Sequence, residues 1–152
     1  MNALALIADS DADIVFADED KPRIRAQIQE LEDFLLDQPQ ESLPVRHIFA
    51  NGLYLREADI PAGLIITGSI HLDEHANILS RGSIRILTED GVSTITAPQT
   101  FICRPGVKKV GVVLEDATMT NIHANPENIT DAAELERRLM VRDYRALEHL
   151  EA

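Results

Sequence analysis

Between Val45 and His123 the chain alternates apolar and polar residues in short β-branched runs, cut at intervals by glycine, proline and Asp-Gly. A period of two suits strands with one buried face and does not suit a helix, so this stretch restricts the fold to an antiparallel sandwich or barrel. The clearest unit is SIRILTEDGVSTITA, where Asp90-Gly91 accepts the backbone angles of a tight hairpin and apolar alternation flanks it on both sides. LIITGSIHL reads as one strand, with Ile66, Gly68, Ile70 and Leu72 on one face and Ile65, Thr67, Ser69 and His71 on the other. A turn at Arg104 to Gly106 precedes VKKVGVVL, and EDATMTNIH forms a last strand with Met119, Asn121 and His123 on one face. About seven or eight strands are expected.

Helical spacing takes over at both ends. PRIRAQIQELEDFLLDQP sets Ile24, Ile28, Leu31 and Leu35 on one stripe, with Pro22 suited to a first turn and Pro39 beyond the end, which predicts a helix near Pro22 to Asp37. Asp131 with Glu134 forms a capping pair, and Leu135, Leu139, Leu147 and Leu150 predict a second helix from Asp131 to Leu150. Residues 1–20, rich in Ala and Asp, read as an acidic arm, mobile or ordered by a partner. The plan is one domain: an arm (1–20), a helix and connection (21–44), a β-barrel (45–126) and a C-terminal helix (127–152). The Ile24 stripe packs on its own barrel or on a second subunit. With the terminal helix, it offers more amphipathic surface than one small barrel covers, which predicts a homodimer or larger oligomer.

Charge narrows the partners. Of 152 residues, 26 are Asp or Glu and 14 Lys or Arg, a formal net charge of -12 that opposes general attraction to nucleic acid phosphates and anionic lipid. One cysteine, Cys103, cannot form an internal disulfide and fits a reducing cytoplasm. The opening lacks the basic region of a secretory signal, and no apolar run has the length of a membrane span.

PAGLIITGSIHLDEHANILSRGSIRILTEDG followed by ITAPQTFICRPGVKKVGVVLEDATMTNIH resembles the cupins, small antiparallel jelly-roll (double-stranded β-helix) proteins. The usual first motif of that family carries His-x-His and then a Glu seven residues before a glycine. With Gly82 as the glycine, His75 takes the Glu position, His71 matches the second histidine and Ser69 stands where the first would be. In the second motif a histidine follows a proline by five residues, and from Pro98 that position holds Cys103. The pattern is more similar still to cupin-like proteins encoded by bacteriophages, in which a tyrosine-bearing strand, here GLYLREADIPAG, precedes GxIHxxEHxNIL and the last strand ends in T-x-I-H. The resemblance covers roughly half the chain. It implies a mainly β fold with flanking α-helices and a viral origin.

His71 ends one strand and His75 begins the next, so a turn holding Asp73 and Glu74 lets the two imidazoles converge, and His123 at the end of the final strand supplies a third. Three neutral imidazoles suit Zn, Fe, Ni or Mn with open positions for water or a ligand; the alternative is hydrogen bonding at a barrel rim, to backbone or to Asp73 and Glu74. Cys103 is either a fourth ligand or a small buried hydrophobe. Arg104, Lys108 and Lys109, with Arg81 and Arg85, either seat a phosphate or carboxylate group or neutralise the acidic helices. Tyr54 and Arg56 share a strand face and line a pocket or pack at the barrel edge, and Ser69 shares the face of His71. These residues predict a non-enzymatic module that holds a metal ion or a small polar ligand, and the resemblance implies that it acts in the host cytoplasm. A virion or host-factor scaffold is the alternative, and a metal-dependent oxygenase or isomerase ranks third.

Overall fold

The structure, a computed structural model, describes residues 2–8 and 11–152. Its centre is an antiparallel eight-stranded sheet, built from β1 (Ile14–Val15), β2 (Val45–Ala50), β3 (Leu53–Ile60), β4 (Ile65–Thr67), β6 (His75–Thr88), β7 (Gly91–Thr96), β8 (Gln99–Cys103) and β9 (Val110–Ala124). A two-stranded sheet pairs β5 (Ile70–His71) with β10 (Met140–Val141). The expected mainly β, antiparallel jelly-roll class is the one observed.

Two long strands make the sheet into a jelly roll. The first half of β6, His75 to Leu79, pairs with β8 on one side and with β9 from Met119 to Ile122 on the other. The second half, from Ser83, pairs with β7 and with β9 from Val110 to Glu115. Between Leu79 and Ile84 the register shifts, so both strands bend from one layer to the other. Gly82 permits this bend: its φ is +85°, and a Cβ there would lie 2.3 Å from the carbonyl oxygen of Asp116. A hairpin joins β6 to β7 as predicted, but its two-residue turn is Glu89-Asp90, with Thr88 opposite Gly91. Gly91 opens β7 without a positive φ, and what it permits is the close approach of β1, since a Cβ there would lie 2.0 Å from the Ile14 carbonyl oxygen.

Alternation along β6 sorts its side chains into two cores. Ile84 and Ile86 point inward with Leu79, Ile95 and Val113, whereas Leu87 points outward against helix α2 (Lys21–Leu36). On α2, Ile24 and Ile28 are fully buried, and covering each contributes about 1.5–3 kcal/mol. The stripe that could have served a second subunit therefore packs on its own barrel, which removes it as an argument for an oligomer.

Three local expectations are corrected. The N-terminal segment packs as a structured element rather than a free arm: helix α1 (Ala3–Ala8) buries Ala3 and Ile7 in the same core as α2, and β1 extends the sheet beside β7. Buried Arg85 drives this docking, because its guanidinium needs acceptors. It donates to the carbonyls of Ile7 (3.1 Å), Asp11 (3.3 Å) and Ala12 (2.7 Å). Within that segment Met1, Asp9 and Ser10 lie outside the described residues. The C-terminal helix is two helices, α3 (Ala132–Leu139) and α4 (Tyr144–Glu151), because Met140 and Val141 extend to pair with β5 and Asp143 caps a new start by accepting from the Ala146 N–H. Asp131 caps α3 through the Glu134 N–H, as its spacing predicts. LIITGSIHL is also broken: β4 pairs with β9, whereas β5 leaves at Gly68-Ser69 to meet β10.

Candidate metal centre and barrel cavity

Each of the three histidines sits on a paired backbone. His71 ends β5, where Met140 of β10 is its partner; His75 opens β6 opposite Cys103 of β8; His123 lies in β9 opposite Tyr54 of β3. The rings stack with centroids 4.2 Å (His71–His75), 4.8 Å (His75–His123) and 4.9 Å (His71–His123) apart. All three are buried, at 6%, 4% and 0% exposure, so solvent does not satisfy their nitrogens. One nitrogen from each ring and a carboxylate oxygen of Asp73 lie within 4.8 Å of one another.

The hydrogen bonds assign the tautomers. His123 Nδ1 lies 3.1 Å from both Asp73 carboxylate oxygens and donates there, which leaves its Nε2 as an acceptor. His71 Nδ1 then donates to His123 Nε2 at 3.0 Å. His75 Nδ1 donates to the Asp73 carbonyl at 3.1 Å, and its Nε2, buried, has no partner among the described residues. In this network all three Nε2 atoms carry a lone pair, and that of His123 accepts from His71, so an ion held by all three would replace this bond. A buried acceptor without a donor costs about 1–3 kcal/mol, and a cation at Nε2 would remove that cost. The donor set therefore fits a divalent transition metal, with Asp73 orienting two of the rings.

Burial keeps the His71 and His75 rings in the ligating form. It pushes the pKa of His71 down to about 2, helped by the neighbouring His75 and by Lys109, and that of His75 down to about 4. Proton competition for these two nitrogens consequently begins well below the ordinary histidine range near 6.5, which corrects the simple expectation for an exposed imidazole.

Next to the histidines the barrel holds a cavity of about 250 Å³, lined by Arg56, Ser69, His71, Lys109 and Asn121 and otherwise largely by Ile60, Ile66, Ile84, Ile86 and Met119. Ser69 and Arg56 thus face it. Tyr54 does not: it is fully buried, its hydroxyl bonds His47 Nδ1 at 2.7 Å, and its ring supports His123 at 6.3 Å.

Cys103 is not the fourth ligand of this cluster. Its sulfur accepts instead from Asn77 (3.1 Å) and Lys109 (3.2 Å). Arg104 and Lys108 also lie outside the centre. Arg104 pairs with Glu89 (3.0 Å) and Asp90 (2.9 Å), whereas Lys108 is buried against Glu32. The expected basic patch is accordingly dispersed: Arg104 and Lys108 pair with acids, Arg85 holds backbone carbonyls, and Lys109 stays beside the cavity.

Asp73 is the functional residue that sequence reasoning left in a turn. Its signal was the His-x-Asp-x-His spacing, two residues from each of His71 and His75. The roles of His47 and Asn121 carried no comparable signal.

No protein-family model matches this sequence, and a search of curated proteins finds no match. Solved structures do match. A mutant oxalate decarboxylase of Bacillus subtilis superposes with a TM-score of 0.52 at 11% identity, over 68% of this chain and 29% of that one. A second oxalate decarboxylase gives 0.51 at 12%, over 62% and 28%. A cupin-2 domain protein of Shewanella frigidimarina gives 0.44 at 16%, over 63% and 92%. At these identities the likeness concerns the backbone alone, and the chain has a cupin-like jelly-roll fold.

Proposed function

We propose that this protein is a binding module that holds a divalent transition metal through His71, His75 and His123, with Zn, Fe, Ni and Mn the fitting ions. The observation that carries the reading is the convergence of three buried imidazoles, of which His75 Nε2 has no partner. The Asp73 carboxylate holds the Nδ1 proton of His123, and its carbonyl holds that of His75, so both rings keep the Nε2 lone pair, with that of His123 exchanging its bond from His71 for the ion. A metal there would supply a positive centre with open positions for an anionic or neutral ligand in the adjoining cavity. The likeness of the Tyr54 strand and the Gly68 to Leu79 stretch to phage-encoded proteins supports a phage origin and action in the host cytoplasm.

The second reading is a scaffold. It is favoured by the edge strand β2, whose Ile48 and Phe49 are 42% and 37% exposed and offer an apolar contact to a second copy or to a phage or host protein. Metal-dependent turnover, as in an oxygenase or isomerase, ranks third.

The test is metal analysis of tag-free protein purified without chelators, followed by calorimetric titration with Zn, Mn, Fe and Ni. One ion per chain is expected. At a hundredfold excess over Kd it should stabilise the fold by about 2.7 kcal/mol, or raise Tm by roughly 5–10 °C. His75→Ala should remove uptake while the far-ultraviolet circular dichroism is unchanged. If no ion binds, the histidines are structural and the scaffold reading replaces this one.

A further inference from the structure

In a chain of net charge -12, basic side chains should find carboxylates, and eight described ones do so within 3.3 Å. Of the remaining six, two line the barrel cavity, Arg56 and Lys109. Arg56 reaches Glu136 only at 3.8 Å, although its side chain is 18% exposed, and its buried Nε has no partner. Lys109 has no ion pair among the described residues. Its ammonium touches the Cys103 sulfur at 3.2 Å and stands 5.8 Å from the centre of the Phe101 ring. A guanidinium with one long ion pair and an ammonium with none leave positive charge incompletely compensated beside the cavity, and an anion there would satisfy both.

We propose that the cavity binds a small aliphatic carboxylate, its head held by Arg56 and Lys109 and its hydrocarbon tail laid on Ile66, Ile84 and Met119. The wall chooses this class over inorganic phosphate. Apart from Ser69, Asn121, His71 and Glu57, whose carboxylate accepts from Arg46 and Thr120, the lining offers mostly hydrocarbon, so a fully hydrated tetrahedral anion would lose water on most of its surface without replacement. About 250 Å³ corresponds to roughly eight waters, room for a short branched acid but not for a nucleotide. This reading deepens the binding-module proposal, and it rests on the cavity and not on the metal.

Calorimetry and NMR titration of chelator-treated and Zn-loaded protein with 3-methylbutanoate, 3-methylbutanol and inorganic phosphate test it. The acid should bind with Kd in the millimolar range or tighter. The alcohol and phosphate should bind at least about tenfold more weakly, since a hydrogen bond to a charged group is worth roughly one to two decades. Arg56→Met and Lys109→Met should each weaken the acid about tenfold or more and leave zinc uptake intact. Arg104→Met, outside the cavity, should change neither, and thermal melts establish that each variant is folded. Equal binding of acid and alcohol overturns the anion anchor. Tighter binding of phosphate overturns the ligand class. Acid binding that needs zinc and ignores Arg56→Met places the carboxylate on the metal and also overturns it. Zinc uptake with no acid binding refutes this inference alone, whereas the loss of zinc uptake refutes only the metal reading.

Discussion

Lys108 and Glu32 join α2 to the barrel through an ion pair with almost no access to water, at 1% and 3% exposure. Lys108 also donates to the Arg142 carbonyl at 2.5 Å, but Glu32 Oε1 is buried without a partner, so the pair is incompletely satisfied. Burial outweighs the attraction of Glu32 and lowers the ammonium pKa, the sign expected where desolvation exceeds the Coulomb gain. Replacing one partner should therefore cost far more than replacing both. Lys108→Met strands a buried carboxylate and should lose about 3–5 kcal/mol, which in a chain of this size lowers Tm by roughly 6–20 °C. Glu32→Leu, which strands the ammonium, should fall in the same range. The double variant Glu32→Leu, Lys108→Met fills the space with hydrocarbon and should lie within about 1 kcal/mol of the parent, or above it. Urea unfolding followed by circular dichroism in chelator at neutral pH measures all four proteins. A Lys108→Met cost under about 1 kcal/mol, or a double variant as unstable as the sum of the singles, would refute the reasoning.

Two further outcomes follow from buried groups. His71 and His75 stay neutral in the fold down to about 2 and about 4, while the unfolded chain takes up protons near 6.5. Metal-free protein should therefore lose stability as pH falls from about 6.5 toward 4, by up to about 1.4 kcal/mol per pH unit for each histidine, and His71→Asn with His75→Gln should flatten that slope; a flat parent profile contradicts the burial argument. Arg85→Met removes the donor that holds three carbonyls of the N-terminal segment, so limited proteolysis should cleave within the first twenty residues much faster than in the parent. Equal cleavage rates would show that the α1 core contacts suffice.

The strand alternation, the existence of a hairpin between β6 and β7, the α2 stripe and the Asp131 cap were determined by sequence alone, because each depends on residues a few positions apart: a period, a turn or a first helical turn. The same local logic put His71 at a strand end and His75 at the next strand start. Which long-range partners each side chain meets was decided by the tertiary structure. Arg85 and Lys108 look alike in a basic run, yet one holds backbone carbonyls and the other a buried carboxylate. Met140 and Val141 continue a helical pattern until the free edge of β5 offers them backbone hydrogen bonds. Cys103 lies opposite His75 in the sheet, but Asn77 and Lys109 take its sulfur, so strand register alone could not make it a ligand. Asp73 joins the histidines because β9, fifty residues on, brings His123 to its carboxylate, and that closure belongs to the bent β6 and β9 strands and not to any local signal.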